Sequence, residues 1–262
     1  MTDTTGAPLS QNEHVRELFE IMRENGTDTS ALTAMLSYVA AMEKNLATAV
    51  TELTHVRSEL ADIREIQDHP IKAKLQKAAD ALEVKIEQAR EGLKAVKDAI
   101  IDGCKNAVAA FKEKGKAVLQ NIMSFFRVGD KLNEIRDSLA DGIRGSTQAI
   151  ANIEAFSVEY HKTGQHLKNM RLTIIGRPAD AAAKENGKIA LVAQAPFKAV
   201  RSCLTSARKL TDGVIKKVAA FEQSAVKKPS VLDEVDRLTR EIAAVAKTAP
   251  TRERSKAQEV SV

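Results

Sequence analysis

The sequence predicts an all-α protein: an elongated antiparallel helical bundle built around a long coiled-coil hairpin. Three observations carry this. The chain of 262 residues is 44% hydrophobic but only 3% aromatic, with seven Phe, two Tyr and no Trp. Its core must therefore come from Ala, Leu, Ile, Val and Met, the residues of helix–helix seams. Gly (12) and Pro (6) are too scarce for the many turns of an all-β fold. Finally, one stretch keeps a seven-residue apolar repeat for nearly five heptads.

The elements follow in chain order. Ser10-Gln11-Asn12-Glu13 reads as a capping box opening a short helix, with Val15, Leu18, Phe19 and Met22 on one stripe and Gly26 as a left-handed stop. The second helix, capped by Asp28 or Thr29, runs to about Gln67. Leu32, Val39, Leu46, Leu53 and Leu60 fall seven apart, with Met35, Met42, Ala49, Val56 and Ile63 three residues after each. A stripe of that length, on the order of 57 Å at 1.5 Å per residue, demands a partner helix along all of it.

Asp68-His69-Pro70 is a turn, since proline suits the first position of the next helix. That third helix continues the heptads through Leu75, Ala79, Leu82, Ile86, Ala89, Leu93, Val96 and Ile100, which makes an antiparallel hairpin. Near Ile101-Asp102-Gly103 the frame slips by one and resumes at Cys104, Val108 and Phe111, the mark of a change of packing partner. The helix is expected to end at Arg127–Asp130.

A fourth helix is expected from about Lys131 to Ile174, with Leu132, Leu139, Ile153, Tyr160, Leu167 and Ile174 in one register that Ser146 interrupts. Gly176-Arg177-Pro178 breaks it, and Ala179 to Gly187 is a loop. A fifth runs from about Lys188 to Ala225, kinked or started by Pro196. A short sixth helix, capped by Ser230 and carrying Leu232, Val235, Leu238, Ile242 and Val245, precedes a disordered tail from Pro250. The expected organisation is a short N-terminal helix (1–26), the heptad hairpin (27–127), a basic helical region packing on it (128–248) and the tail (249–262).

Charge is unevenly spread. Residues 1–68 sum to −7, 69–127 to +5, 128–160 to −3 and 161–228 to +10. Such a split suggests either an anionic partner for the basic stretch or attraction between the two ends. The polar first residues and the lack of an 18-residue apolar window point to a soluble, cytoplasmic protein without signal peptide or span. Two widely separated cysteines, Cys104 and Cys203, match no metal spacing and fit a reducing compartment.

Chemistry-bearing motifs are absent. There is no phosphate-binding loop, dinucleotide fingerprint, nucleophile elbow or HExxH. His161 and His166, near Glu159, stand five apart, which on a helix turns them about 140° from one another and away from a shared ion. His14, His55 and His69 stand alone, and both cysteines read as small hydrophobes of the packing stripes. No enzyme, cofactor or metal site is expected.

Two binding readings remain beside the structural one. The basic stretch could form a nucleic-acid face, its candidate contacts being Lys198, Arg201, Arg208, Lys209, Lys216, Lys217, Lys227 and Lys228. It has no interleaved aromatics for stacking single strands, and the plain alternative is a solvated or internally paired helix face. Residues 104–126, with lysines and three phenylalanines, could lie on an anionic membrane, but the bundle needs the same apolar face.

Several stretches together carry a family likeness: YVAAMEKNLATAVTEL from Tyr38, IQDHPIKAKLQKA from Ile66, VKDAIIDGCKNAVAAFKEKG from Val96, IEAFSVEYHKTGQHLKN from Ile153 and APFKAVRSCL from Ala195. Over roughly residues 10–247 the chain resembles a family of bacterial proteins, a domain of unknown function met in Gram-positive gut bacteria, often near conjugative-element genes. The resemblance implies a bacterial cytoplasm and an accessory role on a mobile element, and no catalytic or cofactor residue. The expectation is a non-enzymatic interaction or scaffold protein, binding a protein partner or its own copy, with nucleic-acid binding through 161–228 as the competitor. A homodimer follows if the hairpin leaves a seam uncovered.

Overall fold

The fold is described from a computed structural model, in which residues 8–62, 70–174 and 188–227 are described. Among these there are five α-helices and no strand: α1 (Glu13–Glu24), α2 (Ser30–Asp62), α3 (Pro70–Lys114), α4 (Gly129–Ile174) and α5 (Lys188–Lys227). A 3-10 turn at Leu9–Gln11 precedes α1, and a longer 3-10 segment, Gly115–Phe125, lies between α3 and α4. The expected all-α helical bundle is what forms. The chain divides into two compact units, Met1–Phe221 and Glu222–Val262. The predicted turn at Asp68-His69, the break at Gly176-Arg177-Pro178, the sixth helix and the tail lie outside the described residues.

The cap of α1 differs from the expected box. Asn12, not Ser10, closes the helix, its side-chain oxygen accepting the amides of His14 (3.1 Å) and Val15 (3.4 Å), because Ser10 is taken up in the preceding 3-10 turn. Gly26 does adopt the left-handed conformation, φ +67°. At α2, Asp28 accepts both the amide (2.8 Å) and the hydroxyl (2.7 Å) of Ser30.

The heptad stripe of α2 is buried at every described position from Leu32 to Leu60, and so are all eight stripe positions of α3 from Leu75 to Ile100. Arg57 reaches Asp80 and Glu83 across the seam, and Lys97 reaches Glu43, so α2 and α3 run antiparallel. The other side of α3 carries α4, also antiparallel: Lys85 pairs with Asp141, and Gly92 sits against Ile135.

Beyond Ile100 the buried face of α3 widens to Gly103, Cys104, Ala107 and Val108, because here α3 packs against α1 and the 3-10 segment as well. The expected change of partner is thus found where the frame slips. The expected continuation of α3 to Arg127 is not. The helix stops at Lys114, Gly115 turns the chain at φ +67°, and the 3-10 segment runs back until Phe126 lies on Gly103. Arg127, at φ 38°, then makes the corner into α4.

Along α4, Ser146 does not interrupt the stripe. It is wholly buried and donates its hydroxyl to the Gly142 carbonyl at 2.9 Å. Tyr160, expected on the same stripe, is 44% exposed and leans on Phe156, ring centroids 5.7 Å apart. In α5, Ala193, Phe197, Val200, Leu204, Ala207, Thr211, Val214 and Val218 are buried at alternating spacings of four and three. Pro196 lies inside this helix rather than starting it. Thr211 meets Tyr38 and Met42, while Glu52 stands near Cys203, so α5 lies antiparallel on α2; Leu204 meanwhile meets Gly142 of α4.

Candidate functional site

The outward side of α5 is the strongest candidate. Its core stripe fixes the helix rotation, and at 100° per residue that leaves Lys198, Lys209 and Lys216 within about 20° of one another, opposite the core. Arg201 and Arg208 lie on one flank and Lys217 beyond the other. All are exposed except Arg201, which is half-buried. The structure therefore brings five of the eight predicted contacts, Lys198, Arg201, Arg208, Lys209 and Lys216, onto one face within an arc of about 100°; Lys217 points about 180° from Arg208 and lies off it, Lys227 ends α5 and Lys228 lies outside the described residues.

Between the bases the exposed side chains are short, Ser202, Ser206 and Gly213, and exposed Ala195 and Ala220 flank the row. A Cβ built on Gly213 would meet nothing within 4 Å, so the face is open there. One acid, Asp212, shares the face, and Glu52 of α2 borders it beside Cys203. Among the described residues no ion pair involves α5. Several acids of the other helices pair among those helices: Asp80 and Glu83 with Arg57, Glu17 with Lys112, Asp141 with Arg144 and Lys85. Hydrogen bonds from these cations hold the Glu83 carboxyl, and that of Asp141, below the usual range.

Neither cysteine is set up as a nucleophile. Cys104 is buried on the α3 stripe and its thiol is pushed up to about 12 by burial; Cys203, half-buried, is raised by burial and then by Glu52. A thiol becomes a nucleophile when its pKa is depressed, and these move the other way. Among the described residues no three His, Cys, Asp or Glu side chains are placed to hold a metal ion. His161 is half-buried beside Tyr160 and His166 is exposed.

The membrane-surface reading of 104–126 loses its apolar face. Phe126 is buried, and Phe111 and Phe125 pack partly buried against the core. Among the described residues no helix is long and apolar enough to cross a membrane.

Sequence reasoning missed a buried polar pair that joins α2 to α5, Tyr38 to Thr211, whose oxygens lie 3.2 Å apart. Tyr38 stands one residue before the heptad position Val39, and only the approach of α5 buries it.

Fold and face together define an all-α bundle whose fifth helix turns a basic side outward. The chain belongs to a family of unknown function, DUF6674, which it matches over residues 11–259. No curated protein and no solved structure matches it.

Proposed function

We propose that this chain is a non-enzymatic interaction protein of the bacterial cytoplasm, an accessory of a mobile element, in which the bundle serves as a mount for the outward face of α5. The observation that carries this is the contrast on one helix. The inward side of α5 is filled by buried apolar residues, while its outward side holds five bases and one acid. Clustered like charge on a helix already anchored by its core adds nothing to folding, and its natural use is an anionic partner.

We propose a single chain rather than a second copy joined along the α2 heptads. Every described stripe position of α2 is covered from within the chain, so the condition attached to a homodimer is not met. Light scattering on the full chain is expected to return the mass of one chain; the mass of two would restore self-association.

A photo-crosslinking residue in place of Lys209, compared with one in place of Arg90 on α3, tests the face itself in host cells. Adducts from position 209 that vanish on reversal of Arg208, Lys216 and Lys217 are expected, with none from position 90. Adducts from position 90 alone, or adducts insensitive to the reversal, overturn the reading.

A further inference from the structure

Resting on that reading, we infer that the α5 face is a sequence-independent seat for the phosphate backbone of duplex nucleic acid. Five bases follow one another along this face: Lys198 and Arg201, then Arg208 and Lys209, then Lys216. At 1.5 Å per residue the row from Lys198 to Lys216 spans about 27 Å. A rigid row of this length suits a rigid polyanion, whose charges stand in fixed order beside it.

The residues between these bases discriminate among anionic partners. A protein interface draws its energy from buried Trp, Tyr, Phe or Leu anchors, and the α5 face has none. A membrane-surface helix needs an apolar side to insert, but that side of α5 is spent on the core. Single strands are held by stacking on aromatics, and none is exposed here. What remains is Lys and Arg with small residues that let a backbone come close, plus the Ser202 and Ser206 hydroxyls, which can donate to phosphate oxygens. The Thr205 hydroxyl is already bonded to the Arg201 carbonyl at 2.7 Å. With no long polar side chain other than the bases, the face can grip phosphates but has little to read base edges with.

The test is binding of the full chain to a labelled mixed-sequence duplex between about 50 and 200 mM salt. Five neutralised phosphates give a log–log slope near −4.5, a loss of affinity of roughly five-hundredfold across that range. Duplexes of unrelated sequence should bind alike, and the matching single strand should bind more weakly with a shallower slope. Lys198→Ala should lower the slope by about one, and the quadruple variant R208E/K209E/K216E/K217E should abolish binding while its circular-dichroism melt stays that of the parent. If that variant melts early, K198A, K209A and K216A, tested singly, replace it, each expected to lower the slope by about one.

Duplex binding that survives these substitutions, or its absence at low salt, overturns the inference. Polyglutamate and anionic phospholipid vesicles are run beside the duplex. If either binds through α5 and the duplex does not, the phosphate-backbone assignment fails and the interaction reading stands. If no probe binds and position 209 gives no adducts in cells, both fail.

Discussion

α3 meets its two long neighbours by different means. Towards α2 it presents an unbroken heptad of Leu, Ile, Ala and Val against another, with Arg57 tied to Asp80 and Glu83 over the top. Towards α4 and the 3-10 segment it presents glycines. A Cβ on Gly92 would stand 2.6 Å from Ile135 Cγ1, and one on Gly103 would stand 2.5 Å from Phe126 Cδ1 and 3.0 Å from the Phe125 carbonyl oxygen. One seam is filled by side chains and the other is closed by their absence. The two should therefore fail in opposite ways, by cavity on the α2 side and by overpacking on the α4 side.

Leu46→Ala probes the first and should have the largest effect. Leu46 is 2% exposed in the middle of the heptad seam, so its loss removes transfer energy and leaves a cavity, about 3 kcal/mol in all. For a chain of this size that is a fall in Tm of roughly 6–12 °C, read by calorimetry. Gly103→Ala probes the second. Overpacking against the buried Phe126 ring and a backbone oxygen costs about 1–3 kcal/mol, partly offset by the ~1 kcal/mol that Ala gains over Gly in a helix. A net loss of about 1–2 kcal/mol is expected, and pairing it with Phe126→Leu should recover part of it. If Gly103→Ala stabilises the chain, the close approach of the 3-10 segment is wrong.

This difference also explains what could be read in advance. The heptads of α2 and α3 were legible because period alone forces those residues to one side. Gly115 was not, because Lys114-Gly115-Lys116 lies among good helix formers and a single glycine inside a helical pattern is tolerated. What turns the chain there is tertiary, the seating of Phe126 on Gly103 twelve residues before the turn. Ser146 looked like an interruption because its polarity hid its size; with Gly142 and Gly145 it belongs to a small-residue patch that admits Leu82 and Leu204. For α5, the basic residues were visible as types, and the 100° periodicity sorts them outward. That no described acid of another helix forms an ion pair with them is a property of the assembled bundle, which no window of sequence contains.

A smaller effect tests how α5 is fastened. Burial pushes the Tyr38 hydroxyl up from 10.0 to about 12, against a lesser opposite pull from Thr211, and pushes the Cys104 thiol from 9.0 to about 12. Both groups hold their protons more tightly folded than unfolded. The unfolded chain therefore releases them first, and stability falls as pH rises, from near pH 9 for Cys104 and near pH 10 for Tyr38, until about pH 12. Each group contributes at most about 1.4 kcal/mol per pH unit within its window. Tyr38→Phe should flatten the decline of denaturant stability between pH 10 and 11 by about that amount, and Cys104→Ala should flatten it already between pH 9 and 10. An unchanged slope in Tyr38→Phe would mean that α5 does not bury Tyr38.

The smallest effects separate charges that serve the fold from charges that do not. Arg57 bridges two acids across the α2–α3 seam, yet all three side chains are well exposed, so Arg57→Ala should cost under ~1 kcal/mol and less still at high salt. Lys209→Ala on α5 removes a charge with no described partner and should leave stability within about 0.5 kcal/mol of the parent. The informative quantity is the direction as salt is raised from about 50 to 500 mM. Screening should weaken the parent's advantage over Arg57→Ala, because an attraction is being screened. It should favour the parent over Lys209→Ala, because the five α5 bases of the outward face repel one another and salt relieves that repulsion. If Lys209→Ala instead behaves like Arg57→Ala, the α5 charges are paired within the chain and have a structural use. If it shows the opposite salt response, the chain retains on α5 a repulsive array that its own folding does not need, and the use for that array lies in what binds it.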